Sequence, residues 1–172
     1  MMPLTKIDRF FSGDWSRKSI TDVPGIGVVS GLVLRNQGFG AAADLYAWFK
    51  TVPSLIFLQY LLAYGVRIDR AKTVLAAMIG VMFAEVVKGR KFWKFLAKLD
   101  PESNLADVPG IGSVFGQILG NDGHTLLSLL SKIQVAPMAV VAVLIIGGIR
   151  SDRVLQAYYS LKIWEYFYIT LH

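Results

Sequence analysis

Apolar residues recur along this chain in stretches of helical length, and each stretch closes at a glycine or a polar break. No run alternates apolar and polar residues in the way that a half-buried strand requires. Two apolar helices are predicted to begin near Pro53 and Pro137, because proline is tolerated in a first turn. Asp69 and Asp152 are expected to cap the helices that follow. The pattern predicts an all-α fold.

An internal repeat covers nearly the whole chain. The sequence Asp-Val-Pro-Gly-Ile-Gly at 22–27 recurs unchanged at 107–112, and matching glycines follow both occurrences. Further along, 65–70 corresponds to 148–153 with a slightly shorter offset. Chance does not produce a six-residue identity with such flanks. We therefore predict a tandem duplication of two compact helical domains, at 1–89 and 90–172.

The repeated Pro-Gly-Ile-Gly turn carries the chemistry of interest. Glycines let a backbone approach a ligand closely and adopt positive φ. The N–H groups of Gly27 and Val28, and of Gly112 and Ser113, are expected to form a nest of donors for one phosphate group. Two helices joined by such a loop are typical of the helix-hairpin-helix motif, which grips the DNA backbone without reading bases. A turn whose glycines serve packing alone is the alternative.

Each copy resembles the barrier-to-autointegration factor family over nearly its full length. In the first copy the resemblance is carried by Lys6, Phe10, Gly25, Ile26, Gly27, Val29, Gly31, Leu34, Gly38, Phe39, Gly65 and Lys72. In the second copy it is carried by Lys91, Phe95, Gly110, Ile111, Gly112, Val114, Gly116, Leu119, Gly123 and Gly148. The resemblance implies domains that bind double-stranded DNA without sequence preference.

The resemblance also implies which residues contact DNA phosphates. In the first copy they are Lys6, Gly25, Ile26, Gly27, Val29 and Lys72. In the second copy they are Lys91, Gly110, Ile111, Gly112 and Val114. Because members of the family bridge two duplexes as a homodimer, the tandem chain is expected to act as a covalent pseudo-dimer that bridges or compacts DNA.

The sequence departs from the family on the outer face of the helix after the turn. Where the family carries lysines, this chain has Leu32 and Val33, and then Gln117 and Ile118. Their loss removes phosphate neutralisation, the main source of non-specific affinity. Leu32 and Val28 are expected to point outward and to contact a protein partner or another copy of the chain. If the helix phase is shifted by one residue, they are ordinary core.

Arginines near the start of each last helix leave two interpretations open. They are Arg67, Arg70, Arg150 and Arg153. These side chains either meet phosphates or pair with Asp69 and Asp152, and exposed pairs of that kind contribute little stability.

Composition narrows the classes of function. Among 172 residues, 18 Lys+Arg against 12 Asp+Glu give a formal charge of +6, which permits nucleic acid as a partner without requiring it. With no cysteine and two histidines, thiolate sites are excluded and acid–base catalysis has few candidates. His124 follows a glycine turn and is expected to be a loop or packing residue. We therefore expect no enzyme activity, metal or cofactor.

The apolar fraction favours a second interpretation. With 54% apolar residues the chain can bury enough surface to fold, but its apolar fraction is higher than that of most DNA-binding domains. A structural assembly protein that uses the same fold for protein–protein packing, such as a virion component, is therefore the alternative function.

Membrane insertion is not expected. The stretches 51–66 and 133–149 lack charges but fall short of the ~18–20 apolar residues that span a bilayer. The N-terminal residues show no basic region followed by a long apolar run, so no secretory leader is expected. We expect an intracellular protein, in the nucleus or cytoplasm, or a protein carried in a virion.

Overall fold

The computed structural model describes residues 5–86, 94–95 and 104–171. Regular structure in these ranges is helical apart from one isolated β-bridge between Ser19 and Ala41, so the all-α prediction is confirmed. Contacts within the chain divide it into two compact units, Met1–Gly80 and Val81–His172. The predicted domain boundary at 89/90 and the predicted site residue Lys91 lie outside the described residues.

Unit 1 contains short helices around an aromatic and aliphatic core. Its α-helices are α1 (Lys6–Phe11), α2 (Val28–Asn36), α3 (Ala42–Phe49), α4 (Ser54–Ala63) and α5 (Ile68–Val86), and two 3-10 helices span Trp15–Arg17 and Ile20–Asp22. The unit boundary falls within α5, after Gly80. Fully buried side chains include Phe10, Leu34, Phe49, Phe57 and Met78. Because each short helix buries only one stripe, this shared core supplies most of the stability of the unit.

Unit 2 shows the same order of elements after its Pro-Gly-Ile-Gly turn. A 3-10 helix at Leu105–Asp107 precedes α6 (Gly112–Asn121), α7 (Leu126–Val135), α8 (Pro137–Ile146) and α9 (Ser151–Leu171). Helix α9 packs against α7 and α8, and α7 packs against α8. The helix starts predicted near Pro53 and Pro137 are confirmed, since α4 begins just after the first proline and α8 begins at the second.

Glycines end the helices where the sequence predicts. After α2, the N–H of Phe39 donates to the carbonyl of Leu34 at 2.9 Å, and after α6 the N–H of His124 donates to Leu119 at 2.9 Å. This six-to-one hydrogen bond requires a left-handed residue just beyond the helix. The residues that adopt positive φ there, and after α4 and α8, are Gly38, Gly123, Gly65 and Gly148. His124 is accordingly a half-buried loop residue.

Asp69 and Asp152 do not occupy the cap positions predicted for them. Helix α5 begins at Ile68 and α9 at Ser151, so each aspartate is the second helical residue rather than the cap. The carboxylate of Asp69 accepts a hydrogen bond from Arg67 at 2.9 Å, and that of Asp152 accepts one from Arg150 at 3.1 Å. Both pairs are exposed to solvent, so they contribute little to stability.

Helix α9 buries two ionisable side chains, Lys162 and Glu165. Burial lowers the pKa of Lys162 to about 8, and the neighbouring Glu165 opposes this shift. Burial raises the pKa of Glu165 to about 7, and Lys162 opposes that shift. In both cases desolvation of the charged form outweighs the attraction between the two groups.

Candidate nucleic-acid interface

The first Pro-Gly-Ile-Gly segment forms a tight turn against α5. The N–H of Ile26 donates to the carbonyl of Val23 at 3.0 Å, and Gly25 between them has φ +94°. Proline followed by a left-handed glycine is the pattern of a type II turn. A Cβ atom at Gly25 would lie 2.4 Å from the carbonyl oxygen of Arg70 on α5. This glycine is therefore required by the fold.

The second segment repeats this geometry in unit 2. The N–H of Ile111 donates to the carbonyl of Val108 at 3.1 Å, and Gly110 has φ +93°. A Cβ atom at Gly110 would lie 2.5 Å from the carbonyl oxygen of Arg153 on α9. Both turns are thus built in the same way on the first turns of equivalent helices.

The element before each turn is shorter than the sequence suggests. It is a 3-10 helix of three residues, Ile20–Asp22 in unit 1 and Leu105–Asp107 in unit 2. The prolines Pro24 and Pro109 follow two residues later, and a residue before proline is driven out of the helical region. The first arm of the expected helix-hairpin-helix is therefore a single 3-10 turn.

Gly27 differs from Gly25 because the fold does not require a glycine there. Its φ of −101° and ψ of −169° are extended backbone that any residue adopts. A Cβ atom at Gly27 would stand 3.7 Å from Nη1 of Arg70, with no other heavy atom nearer among the described residues. Because Gly27 has no side chain, the space between the start of α2 and the guanidinium of Arg70 stays open.

The N-terminus of α2 faces that space without a partner of its own. The helix has no side-chain cap, and its first residues Val28 and Val29 are 82% and 79% exposed. The first N–H groups of a helix have no intrahelical acceptor, and they carry the positive end of the helix dipole. This end of α2 therefore presents donors and positive potential to solvent.

Lys6 stabilises the turn from inside. Its ammonium group donates to the carbonyl of Ile26, whose side chain is fully buried. Partial burial is the main cause that lowers the pKa of Lys6, and Asp22 opposes it. The positive charges of Arg70 and Arg9 also lower the pKa. Lys6 is thus a half-buried group held by the turn backbone.

Further cations lie beside α1. A cleft of about 480 Å³ is lined by Lys6, Arg9, Phe10, Lys18, Thr21 and Asp22. The ammonium group of Lys18 donates to the carbonyl of Arg9, and the carboxylate of Asp22 accepts from the N–H of Ser19. The cleft therefore combines three cations with one carboxylate that already caps a 3-10 turn.

Lys72 is not brought to this turn. Two residues along a helix correspond to about 200° of rotation, so Lys72 lies on the opposite side of α5 from Arg70. There it lines an apolar groove with Ile7 and Phe11 of α1. The structure thus separates Lys72 from the other predicted site residues of unit 1.

The site in unit 2 is similar in backbone but carries fewer described cations. Ser113 and Val114 in the first turn of α6 are exposed, and α6 has no side-chain cap. Gly112 has φ +75°, so here the glycine also serves the backbone conformation. Arg153 is exposed on α9, but it does not come within 4 Å of a Cβ atom placed at Gly112.

The structure separates the two interpretations of the arginines. Arg67 and Arg150 form exposed ion pairs with the aspartates two residues later. Within the described residues, Arg70 and Arg153 have no carboxylate at ion-pair distance. The sequence alone does not distinguish Arg70 from the other three arginines. Its correspondence to Arg153 in the repeat is visible in the sequence, but only the packing of the turn on α5 shows that Arg70 lies beside Gly27.

The apolar outer face predicted for α2 is present. Val28 and Leu32 are exposed, whereas Val33 is half-buried, so the helix phase in the prediction was right. In unit 2 the equivalent helix exposes Gln117 and Ile118. No lysine replaces the missing cations on either outer face.

The part of the chain that the structure describes contains neither a metal-binding cluster nor a membrane-spanning helix. Among the described residues, no group of three or more His, Asp or Glu side chains is arranged to hold a metal ion. No described helix combines the length and apolar character needed to cross a membrane. In comparisons with known proteins, no family model, curated protein or solved structure matches this chain.

Proposed function

We propose that this protein is a non-catalytic DNA-binding protein that holds the phosphate backbone of double-stranded DNA without reading its sequence. The observation that carries the proposal is the open space at Gly27. It lies between uncapped N–H groups of α2 and the guanidinium of Arg70, and no requirement of the fold keeps it free of a side chain. A phosphate group fits such a combination of helix N-terminus and arginine.

Two residues of unit 1 take different roles in this account. Arg70 contacts the phosphate, because its guanidinium is exposed, has no carboxylate partner among the described residues and lies beside Gly27. Lys6 acts as a positioning residue, because its ammonium group is bound to the carbonyl of Ile26 and so fixes the turn.

A second site on unit 2 makes the chain a DNA bridge. The turn at 107–111 repeats the hydrogen bond and the left-handed glycine of the first turn, although Gly112 has φ +75° where Gly27 is extended, and Arg153 is exposed on α9. The resemblance of both copies to the barrier-to-autointegration factor family supports the same conclusion, with Lys91 as a further contact. With one site on each unit a single chain holds two duplexes, and each further chain that bridges the same two duplexes binds at high effective concentration.

The affinity follows from the small number of cations. Each phosphate neutralised on duplex DNA contributes about 0.9 to the slope of log affinity against log salt, and non-specific dissociation constants are about 10⁻⁴–10⁻⁶ M at physiological salt. With few described cations at each turn, we expect affinity in that range and a shallow slope.

A matched pair of arginine variants tests the proposal. With the unit 2 site blocked by Ser113→Glu, Arg70→Ala is expected to weaken binding to a short random-sequence duplex about 10-fold and to lower the salt slope by about 1. Arg67→Ala, which removes an exposed arginine already paired with Asp69, is the control and is expected to leave both nearly unchanged. Fluorescence anisotropy across a salt series measures both quantities. Equal effects of the two variants would contradict the assignment of Arg70.

A structural assembly protein is the second candidate function. It is favoured by Val28, Val29 and Leu32, which expose 82%, 79% and 59% of their surface at the start of α2. An apolar patch of this kind is typical of a protein–protein contact. A folded protein that fails to bind duplex DNA at low salt would favour this function over the first.

A further inference from the structure

The cleft beside α1 gathers positive charge that the phosphate site at Gly27 does not use. Three cations, Lys6, Arg9 and Lys18, line it together with the carboxylate of Asp22, so its formal charge is +2. A cleft lined mainly by charges of one sign focuses the electric field and concentrates ions of the opposite sign. The charge of the cleft therefore favours an anion.

Two of the three cations retain donors for such an anion. Arg9 is exposed, and within the described residues no carboxylate lies at ion-pair distance from its guanidinium. The ammonium group of Lys18 donates to the carbonyl of Arg9, which uses one of its three donors and holds Lys18 against α1. Both side chains can therefore donate to an anion in the cleft.

The carboxylate of the cleft is already engaged with the backbone. Oδ2 of Asp22 accepts from the N–H of Ser19 at 3.1 Å, as part of the capping box of the 3-10 helix Ile20–Asp22. This bond keeps the carboxylate on its own turn. Asp22 therefore reduces the positive charge of the cleft without cancelling it.

Lys6 connects the cleft to the phosphate site at the turn. It lines the cleft, and its ammonium group donates to the carbonyl of Ile26, the residue before Gly27. Burial is the main cause that lowers the pKa of Lys6, and the positive charges of Arg70 and Arg9 lower it further. Lys6 thus lies within electrostatic reach of Arg70 beside Gly27 and of Arg9 in the cleft. The cleft and the Gly27 site are therefore neighbours.

A DNA strand has the repeat that such neighbouring sites require. Each strand of a duplex carries one phosphate about every 3.4 Å along the helix axis. A strand that places one phosphate at Gly27 consequently brings further phosphates close to it. Guanidinium and ammonium groups are the side-chain donors that bind phosphate oxygens most strongly.

We propose that Arg9 and Lys18 form a second phosphate-binding site of unit 1, which holds a phosphate next to the one at Gly27 on the same DNA strand. The inference rests on the proposed DNA-binding function. Arg9 and Lys18 contact the phosphate, whereas Lys6 stays bound to the carbonyl of Ile26 and joins the two sites. Because the cleft neutralises a single phosphate, it strengthens binding at the turn but does not hold DNA by itself.

The sequence of the second copy differs at this cleft. Asp22 corresponds to Asp107, and the same offset pairs Arg9 with Lys94 but Lys18 with Ser103. One of the two contacting cations is thus missing from the second copy. The additional phosphate site is therefore proposed for unit 1 alone.

Substitutions of the two cations test the proposal in a chain whose unit 2 site is blocked by Ser113→Glu. The double variant Arg9→Gln with Lys18→Gln is expected to weaken binding to a short random-sequence duplex about 10-fold at low salt and to lower the salt slope by about 0.9. Arg17→Gln is the matched control, because Arg17 is exposed like Arg9 but pairs with Asp14 at 3.5 Å and does not line the cleft. It is expected to leave both quantities nearly unchanged.

Fluorescence anisotropy across a salt series measures affinity and slope, and far-UV circular dichroism confirms that the variants are folded. If Arg70→Ala lowers the slope but the double variant behaves like Arg17→Gln, the Gly27 site stands and the proposal for the cleft is wrong. A double variant that weakens binding with an unchanged slope would show that the two cations act only through the structure of the turn, which also overturns the proposal. A folded Ser113→Glu protein that does not bind duplex DNA at low salt would contradict the proposed function of unit 1 itself.

Discussion

Replacing Gly25 by alanine is the sharpest test of how the turn is held on α5. Gly25 has φ +94°, and a Cβ atom there would lie 2.4 Å from the carbonyl oxygen of Arg70 and 2.8 Å from Cγ2 of Val74. The carbonyl belongs to the backbone of α5 and cannot rotate away. Gly25→Ala therefore forces the turn and the helix apart.

A second glycine separates backbone strain from close packing. Gly38 has φ +97°, nearly the value at Gly25, but a Cβ atom there has no heavy atom within 4 Å. A left-handed conformation costs an L-residue about 1–2 kcal/mol, so Gly38→Ala is expected to lower the free energy of unfolding by about 1 kcal/mol. Gly25→Ala adds a steric cost of about 1–3 kcal/mol and is expected to lose about 2–5 kcal/mol in total.

Urea denaturation followed by circular dichroism measures the two losses. The same comparison exists in unit 2, where a Cβ atom at Gly110 would lie 2.5 Å from the carbonyl oxygen of Arg153 and a Cβ atom at Gly123 has no heavy atom within 4 Å. In each unit, we expect the alanine variant of the close-packed glycine to lose at least about 1 kcal/mol more of the free energy of unfolding than the alanine variant of the open glycine. Equal losses at Gly25 and Gly38 would refute the argument that packing on α5 requires the first glycine.

Two further predictions concern buried or half-buried ionic groups. Replacing the buried pair by Lys162→Met with Glu165→Leu is expected to raise the free energy of unfolding by about 1–4 kcal/mol near pH 7.5. Because the pKa of Lys162 is lowered from 10.5 to about 8, the stability that burying its charge costs is regained as the pH rises from 8 towards 10.5. Because the pKa of Glu165 is raised from 4.5 to about 7, the stability that burying its charge costs is regained as the pH falls from 7 towards 4.5. The gain should thus be largest between pH 7 and 8 in urea titrations, and a gain that does not vary with pH would contradict these shifts. Lys6→Met is expected to weaken DNA binding with an unchanged salt slope, since Lys6 binds the carbonyl of Ile26 rather than a phosphate, whereas a slope reduced by about 0.9 would make Lys6 a direct contact.

The helical fold and most helix ends could be predicted because their signals are local. Gly38 and Gly123 end α2 and α6 through a hydrogen bond between residues five apart, and proline marks the start of α8 within its own sequence. The cap assigned to Asp69 was wrong because Arg67, two residues earlier, competes for the same carboxylate. That competition depends on a two-residue difference in helix start, which sequence patterns do not resolve.

The chemistry of the turn depended on contacts that the sequence does not show. Lys6 and Ile26 are 20 residues apart, and Arg70 reaches Gly27 only because the turn packs on α5. The separation of Lys72 from the turn depends on the rotation of α5.

Glutamate substitutions in the first turn of α2 and α6 test the central claim most directly. Val28 and Ser113 are exposed at equivalent positions, where a glutamate favours the helix dipole but repels a phosphate. Val28→Gln and Ser113→Gln match the size without the charge. Binding to a random-sequence duplex is measured by fluorescence anisotropy over a salt series.

We predict that each glutamate variant weakens binding, that the double variant abolishes it, and that the glutamine variants bind like the parent protein. Val28→Gln also removes an apolar side chain from the exposed patch, so retained binding would show that this patch is not the contact with DNA. Unchanged binding by the double glutamate variant, in a protein whose circular dichroism is that of the parent, would contradict phosphate binding at the two turns.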